Sequence, residues 1–352
     1  MNLTYKRQLP NPDEIKNMYP VPNDLAQIKK ANDKEVQDIF LAKSNKFLLV
    51  IGPCSADRED SVIDYIKRLR KIADEPLVKE TLVIVPRIYT NKPRTTGEGY
   101  KGMLHQPNPE ADPDMFKGII EIRRLHLVAL QETGFSCADE MLYPENHIYL
   151  SDLLTYVAVG ARSVEDQQHR LTASGIEIPI GMKNPTSGDI SVMLNAIKAA
   201  EHPHTFIYRG YEVESKGNPL AHAILRGYVN HHGEPHENYH YENLIFLADR
   251  YNKESFQNPA VVIDCNHSNS HKQYLEQIRI AKEVLHSMTE HERIKELVKG
   301  LMIESYIEDG CQKVEEGVYG KSITDPCLGI EKSADLIREI AAIRKKMLSS
   351  NQ

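Results

Sequence analysis

The chain has 352 residues, of which 41% are hydrophobic and 26% charged, with a formal net charge of −7. That length fits one large domain or two modest ones. The acidic balance argues against a nucleic-acid binder, which would present a basic face, and no run of about 18 apolar residues predicts a membrane span.

The amino-terminal stretch MNLTYKRQLPNPDEIKNMYPVP is polar, broken by proline and without the apolar core of a signal peptide. The five cysteines, Cys54, Cys137, Cys265, Cys311 and Cys327, are odd in number and form no close CxxC pair. That is not a disulfide framework, and a cytoplasmic chain is the expectation. Residues 24–44 read as a helix. The rest of 1–44 reads as an arm that needs something to lie against, and a neighbouring subunit is expected there.

From residue 45 onward, short apolar runs alternate with amphipathic windows. The runs are FLLVI (47–51), TLVIVPRIY (81–89), FSCADEM (135–141), TYVAVGA (155–161), IPIGMK (178–183), HTFIY (204–208), AVVID (260–264) and VKGLMIE (298–304). Helices between them have legible ends. Asp57 precedes a window with Val62, Tyr65, Ile66, Leu69 and Ile72 at 3.6-residue spacing. Asp114 opens a helix that Gly134 closes. Ser163 with Asp166 resembles a capping box, and Gly175 stops that helix. Ser333 starts the last helix, which ends on Arg344, Lys345 and Lys346, favourable at the negative end of the helix dipole. Eight β–α units in series predict a (β/α)8 TIM barrel over 45–352, behind an N-terminal extension. A doubly wound sheet is the alternative. It would carry a glycine-rich turn after its first strand, and GPCSADRED is not one.

Barrel enzymes gather their catalytic groups where strands end. The strand ends here deliver Cys54 and Ser55, then Arg87 followed by Lys92, Pro93, Arg94 and Thr95, then Asp139 and Glu140. Later ends bring Arg162, Lys183, Arg209 with Arg226 beyond a polar loop, Asp264 and His267, and Glu304, with Asp325 following. Arg87, Lys92, Arg94, Arg162, Lys183 and Arg226 would repel one another unless anions sat among them. Arginine's fork suits phosphate and carboxylate, and lysine adds a compact charge. A set of this size points to more than one anionic moiety, such as two phosphates and a carboxylate. The loop NKPRTTGEGYKG (91–102) then reads as an anion clamp stiffened by Pro93.

A thiol, an imidazole and two carboxylates, from Cys54, His267, Glu304 and Asp325, are competent ligands for a borderline divalent ion. Each has a plainer reading. Cys54 alone is as well explained as a small buried side chain. Cys265 shares a strand face with His267 and could rival it, though packing explains it. Glu140 could pair with a rim cation, and Lys92 with Arg94 could be a solvated loop. His169 reads as a solvated or hydrogen-bonded helical residue, and the histidines of HHGEPHENYHYEN (231–243) as a surface loop.

The motifs IGPCS (51–55), KPRTT (92–96), GAR (160–162), GMKNPTSGD (181–189), ILRG (224–227), DCNHSNS (264–270), MIES (302–305) and YGKSITDPC (319–327) together resemble type I 3-deoxy-D-arabino-heptulosonate-7-phosphate (DAHP) synthases. The resemblance runs from the first strand to the last helix. It implies a (β/α)8 barrel and a divalent metal (Mn, Fe, Co or Zn). It implies an aldol-like condensation of phosphoenolpyruvate with erythrose 4-phosphate, the first step of the shikimate pathway leading to aromatic amino acids. By matched motif, Cys54, His267, Glu304 and Asp325 would hold the metal. Arg87, Lys92, Glu140, Arg162, Lys183 and Arg226 would surround phosphoenolpyruvate. Arg94 and Thr95 would hold the sugar phosphate, with Lys92, Pro93 and Asp325 nearby. Lys92, crowded by cations, is expected to have a lowered pKa and to protonate the new alkoxide. The resemblance also implies a homodimer or homotetramer and an aromatic amino acid as a candidate effector.

Two features depart from the family pattern: GEGYKG has tyrosine where tryptophan is usual and is one residue longer, and the 208–225 segment is short. A 3-deoxy-octulosonate-8-phosphate synthase acting on arabinose 5-phosphate is the nearest rival, against which KPRTT rather than KANRTS argues. A non-catalytic sugar-phosphate binder would not need both the cations and the metal ligands. A class II aldolase would use a histidine-rich site, and only one histidine is offered here.

Overall fold

The structure, a computed structural model, describes residues 1–94 and 96–349. Two helices come first, α1 (Pro12–Met18) and α2 (Asn23–Phe40). Then follow β1 (Phe47–Gly52), α3 (Glu59–Ala73), α4 (Pro76–Thr81), β2 (Leu82–Pro86), α5 (Met115–Thr133), β3 (Cys137–Glu140), β4 (Leu154–Val159), α6 (Gln167–Ala173), β5 (Ile180–Lys183) and α7 (Ile190–Glu201). A hairpin of β6 (Thr205–Tyr208) and β7 (Tyr211–Glu214) precedes β8 (Ala221–Leu225). A smaller hairpin of β9 (Tyr228–Val229) and β10 (Pro235–His236) leads to α8 (Tyr241–Lys253), β11 (Val261–Asp264), α9 (Glu276–Glu290), α10 (Glu292–Leu297), β12 (Val298–Glu304) and α11 (Ile330–Ser349).

Eight of these strands form one parallel sheet in the order β2-β1-β12-β11-β8-β5-β4-β3. The two outer members meet just past β2, where Arg87 bridges Ala138 and Ile88 N–H donates to Ala138 O at 2.9 Å. The sheet is thereby a nearly closed (β/α)8 barrel. All six residues of β1 are buried, because helices cover the outside and side chains fill the inside. Gly52 ends β1 where a Cβ would lie 2.3 Å from Arg87 O, so only glycine lets the two strands approach there.

Seven of the eight predicted strands join the barrel; the sixth does not. HTFIY contributes β6, which pairs only with β7 in an antiparallel hairpin outside the barrel. The sixth barrel strand is β8, paired with β5 and β11. Arg226 therefore follows a barrel strand directly, and Arg209, with φ +52, lies at the hairpin tip.

Asp114 caps α5 through Lys117 N–H at 3.1 Å, and Gly134 ends it with φ +72. Asp166 caps α6. Asp57 is not a cap: α3 starts two residues later, and Asp57 accepts the Tyr306 hydroxyl at 2.6 Å. Ser333 lies inside α11, bonded to Ser305 Oγ at 2.7 Å.

The extension lies largely against its own barrel. Val36, Ile39 and Phe40 of α2 cluster with Leu48, Val83, Tyr156 and Val262, plugging the end where the strands begin. Arg123 of α5 donates to Tyr19 O at 2.9 Å, and Tyr149 Oη donates to Pro10 O at 2.6 Å. What remains outward is the arm itself, with Leu3 and Tyr5 exposed.

Candidate active site

A cavity of about 140 Å³ opens where the barrel strands end. Cys54, Arg87, Lys92, Pro93, Arg94, Glu140, Arg162, Lys183, Arg226, His267 and Asp325 all line it. Glu304 is fully buried beneath them, and Thr95 lies outside the described residues. The barrel thus gathers at one rim residues that are up to 271 positions apart, as between Cys54 and Asp325.

The floor is built from β2 and β12. The Arg87 guanidinium lies over the Tyr89 ring, Cζ 3.8 Å from its centroid. Its Nη2 donates to Glu304 Oε1 at 2.8 Å and to Cys54 O at 3.2 Å, and its Nε donates to Pro53 O at 3.2 Å. Its Nη1 is buried without a hydrogen-bond partner among the described residues, which is costly unless something else accepts from it. Gln277 fixes Glu304 from behind, accepting its N–H at 2.8 Å and donating to its C=O at 3.0 Å. Asn266 donates to Glu304 Oε2 at 2.5 Å.

Donor atoms of Cys54, Glu304 and Asp325 lie within 4.8 Å of one another. His267 stands beside this group, with Nε2 3.8 Å from Glu304 Oε1 and Nδ1 2.9 Å from Asp264 Oδ2. Its backbone has φ +52, strained for a non-glycine residue. The Lys92 ammonium lies 2.8 Å from Cys54 Sγ and 2.9 Å from Asp325 Oδ2, so the donor group already draws a positive charge. Burial pushes the Cys54 thiol up, reinforced by Glu304 and opposed by Lys92. Burial would also raise Asp325, but Lys92 and His267 outweigh it and hold that carboxyl well below the usual range.

Lys92 overturns one expectation. Burial alone would lower its pKa, but Cys54, Asp325 and Glu304 more than offset this, and the net shift is upward. The near neighbours of this lysine are acids, not the other cations of the rim.

The cations divide into two sets. Lys183 is paired with Glu140 Oε2 at 2.5 Å, both buried, and this partner, with Arg87, keeps Glu140 below its ordinary range against burial. Arg87 and Lys92 also face carboxylates. Arg94, Arg162 and Arg226 have no ion-pair partner among the described residues. Arg94 donates to Tyr100 O at 3.1 Å and Arg162 to Pro93 O at 3.1 Å. Burial lowers Arg226, and Asp264 and Glu140 offset this only in part.

The DAHP synthetase I family model matches residues 25–338. The chain belongs to the DAHP synthetase I family. It is 33% identical over 350 residues to the Tyr-sensitive phospho-2-dehydro-3-deoxyheptonate aldolase of Escherichia coli K12, covering 97% of this chain and 94% of that protein. The Phe-sensitive aldolase of the same strain is 34% identical over 344 residues, with 95% and 94% covered. A solved phospho-2-dehydro-3-deoxyheptonate aldolase from Francisella tularensis SCHU S4 superposes with a TM-score of 0.88 at 29% identity, covering 98% of this chain and 99% of that one.

Sequence reasoning missed several lining residues of this family member. Tyr89, Asn91, Ala161, Thr186 and Lys272 all face the cavity. Tyr89 had a signal, since it lies two residues past Arg87 in the run TLVIVPRIY, where a strand would place both on one face. Lys272 had none, because it sits well past the end of β11, beyond His267, in a polar loop. His169 is hydrogen-bonded rather than solvated: it is largely buried, with Nδ1 2.6 Å from Asp166 Oδ2 and Nε2 2.9 Å from Leu142 O. Of the other histidines, those at 231–236 span the turn of the β9–β10 hairpin.

Proposed function

We propose that this cavity binds phosphoenolpyruvate and D-erythrose 4-phosphate beside a divalent metal ion and joins them with water. The chain is an enzyme, a transferase of the DAHP synthase type. The products are 3-deoxy-D-arabino-heptulosonate 7-phosphate and inorganic phosphate, the opening step of the shikimate route. One observation carries the site assignment: Arg94, Arg162 and Arg226, without carboxylate partners among the described residues, line the same cavity as Cys54 and Asp325, which cluster with the buried Glu304.

The donor set fits a borderline divalent ion. Cys54, Glu304 and Asp325 would hold it, with His267 as fourth ligand. When bound, such an ion acts as a Lewis acid toward the sugar aldehyde. Arg162, Arg226, Lys183 and Arg87 bind the carboxylate and phosphate of phosphoenolpyruvate, and the free Nη1 of Arg87 gains its acceptor. Glu140 lies in this cluster and holds Lys183 in place. Arg94 and Thr95 bind the sugar phosphate, beside Pro93. The methylene carbon of phosphoenolpyruvate supplies the electron pair for the new carbon–carbon bond to the aldehyde carbon. Water adds at the second carbon, and phosphate leaves with its bridging oxygen. Lys92, kept protonated by its acidic neighbours, gives its proton to the new alkoxide.

Phosphates that arginines would hold and a small aldehyde need no macromolecular partner, so small molecules are the substrates. No helix among the described residues is long and apolar enough to cross a membrane, and with five unpaired cysteines we place the protein in the cytoplasm. The exposed Leu3 and Tyr5 of the arm and Ile207 and Tyr211 of the β6–β7 hairpin support a homodimer or homotetramer that covers them. The aromatic amino acid sensitivity named in the E. coli relatives makes such an effector the regulatory reading for this chain.

The test is phosphate release by EDTA-treated protein given phosphoenolpyruvate with erythrose 4-phosphate or arabinose 5-phosphate, with and without manganese. Turnover with erythrose 4-phosphate and metal only is expected. Turnover with arabinose 5-phosphate would move the protein to the rival synthase, and none with either sugar would favour a binder.

A further inference from the structure

We propose that Lys272 is a positioning residue that fixes Asp325 and His267 toward the metal site. The proposal rests on the reading of Asp325 and His267 as ligands given above. Lys272 lies on the loop after β11 and reaches across to the loop after β12. Its Nζ is 3.1 Å from Asp325 Oδ1, while Lys92 takes Oδ2 at 2.9 Å. Each carboxylate oxygen therefore has its own ammonium group. The backbone of Lys272 is tied as well, its N–H donating to His267 O at 2.9 Å. One residue is thus joined through its main chain to one ligand and through its side chain to another.

The backbone of this loop is costly. His267, His271 and Lys272 have φ of +52°, +51° and +60°, in a region where a non-glycine residue persists only when its surroundings hold it. Three such residues within six positions put the strain beside the proposed ligands and nowhere else on α9 or β11. The ion pair itself adds little stability, because the Lys272 side chain is 61% exposed and exposed pairs are weak. Its effect is on orientation: a partner that holds a ligating carboxylate in one rotamer typically changes metal affinity or activity by about 10–100-fold. Removing a positive charge would by itself favour cation binding. Water and salt screen that repulsion at so exposed a side chain, so loss of orientation dominates.

The experiment is direct binding of Mn²⁺ to the metal-free full chain, read from the electron paramagnetic resonance signal of free Mn²⁺ and requiring no turnover. The proteins are wild type, Lys272→Ala, Lys272→Met, Lys272→Arg and Asp325→Ala. Lys272→Met keeps the aliphatic stem and covers the case in which alanine loosens the loop. The Mn²⁺ Kd is expected to rise about tenfold in the alanine and methionine variants and to recover in Lys272→Arg. The Tm should stay near wild type. A purely structural role would instead lower Tm along with raising the Kd, and Lys272→Arg would not restore the Kd. An unchanged or tighter Kd in both Lys272→Ala and Lys272→Met overturns the proposal. An unchanged Kd in Asp325→Ala overturns the ligand assignment beneath it, and the proposal falls with it.

Discussion

The two ends of the barrel treat buried polar groups in opposite ways. At the end where strands begin, His222 is fully buried, with Nε2 2.7 Å from Tyr156 Oη and Nδ1 2.9 Å from Leu220 O. The Phe40 ring of α2 packs 4.2 Å from it, centroid to centroid. Burial pushes this histidine down to about 4, so it is neutral and satisfied. At the other end, Arg87 pairs with Glu304, Lys92 with Asp325 and Lys183 with Glu140, while Arg94, Arg162 and Arg226 have no carboxylate partner among the described residues. Burial alone does not mark a functional end, since both ends bury polar groups. What marks it is charge left over after the internal pairs are made, because leftover charge at a cavity is costly unless a ligand completes it.

The sharpest contrast comes from removing one group at each end. Lys92→Ala should lower kcat by about 10²–10⁴, the usual range for a general acid, with smaller change in binding. An unchanged kcat would remove Lys92 from the chemistry. Arg226→Ala deletes a cation with no ion-pair partner among the described residues. It should raise the KM for phosphoenolpyruvate by about 10–100-fold, the equivalent of a charged hydrogen bond of about 1.5–3 kcal/mol, with kcat less affected. A kcat loss with unchanged KM would mean that Arg226 acts on the transition state alone.

Phe40→Ala should do the reverse. It should cost about 3–5 kcal/mol of stability by opening a cavity in the plug, seen as a lower urea midpoint, while the folded fraction keeps its kcat. Loss of kcat without loss of stability would tie the plug to the site and blur the contrast.

The mildest perturbation is pH. His222 is lowered in the folded state from 6.5 to about 4, and His147, half-buried, shifts the same way to about 4. The unfolded chain therefore binds more protons between these values, and stability falls as pH drops. Above pH 6.5 the penalty is absent. It grows toward pH 4, reaching about 3 kcal/mol per histidine at its limit by the relation of 1.36 kcal/mol per unit. Urea midpoints at pH 7.5, 6 and 5 should fall, and less steeply in His222→Gln. Equal slopes in the two proteins would show that His222 titrates normally.

Most of the barrel was legible because parallel strands buried on both faces read as continuous apolar runs, as FLLVI and AVVID do. The sixth strand was not. HTFIY has aromatic and β-branched residues and reads as a better strand than AHAIL, yet it forms an exposed hairpin while Ala221–Leu225 enters the barrel. Packing decides there: β8 needs small alanines and a histidine that can reach Tyr156, which no propensity scale rewards. Most residues lining the cavity were legible through strand ends and the family motifs together. The electrostatics were not. The sequence shows Lys92 beside Arg94, whereas Asp325 arrives against it only through folding, 233 positions away. Lys272 was invisible for the same reason, since its meaning depends on a carboxylate on another loop.

The most direct test is a crystal structure with Mn²⁺ and phosphoenolpyruvate, read from the manganese anomalous signal. The account predicts one strong peak within bonding distance of Cys54, His267, Glu304 and Asp325, with the phosphoenolpyruvate anions on Arg162 and Arg226. A peak elsewhere, for instance among the histidines at 231–236, or a ligand that leaves Arg162 and Arg226 unbound, would contradict it.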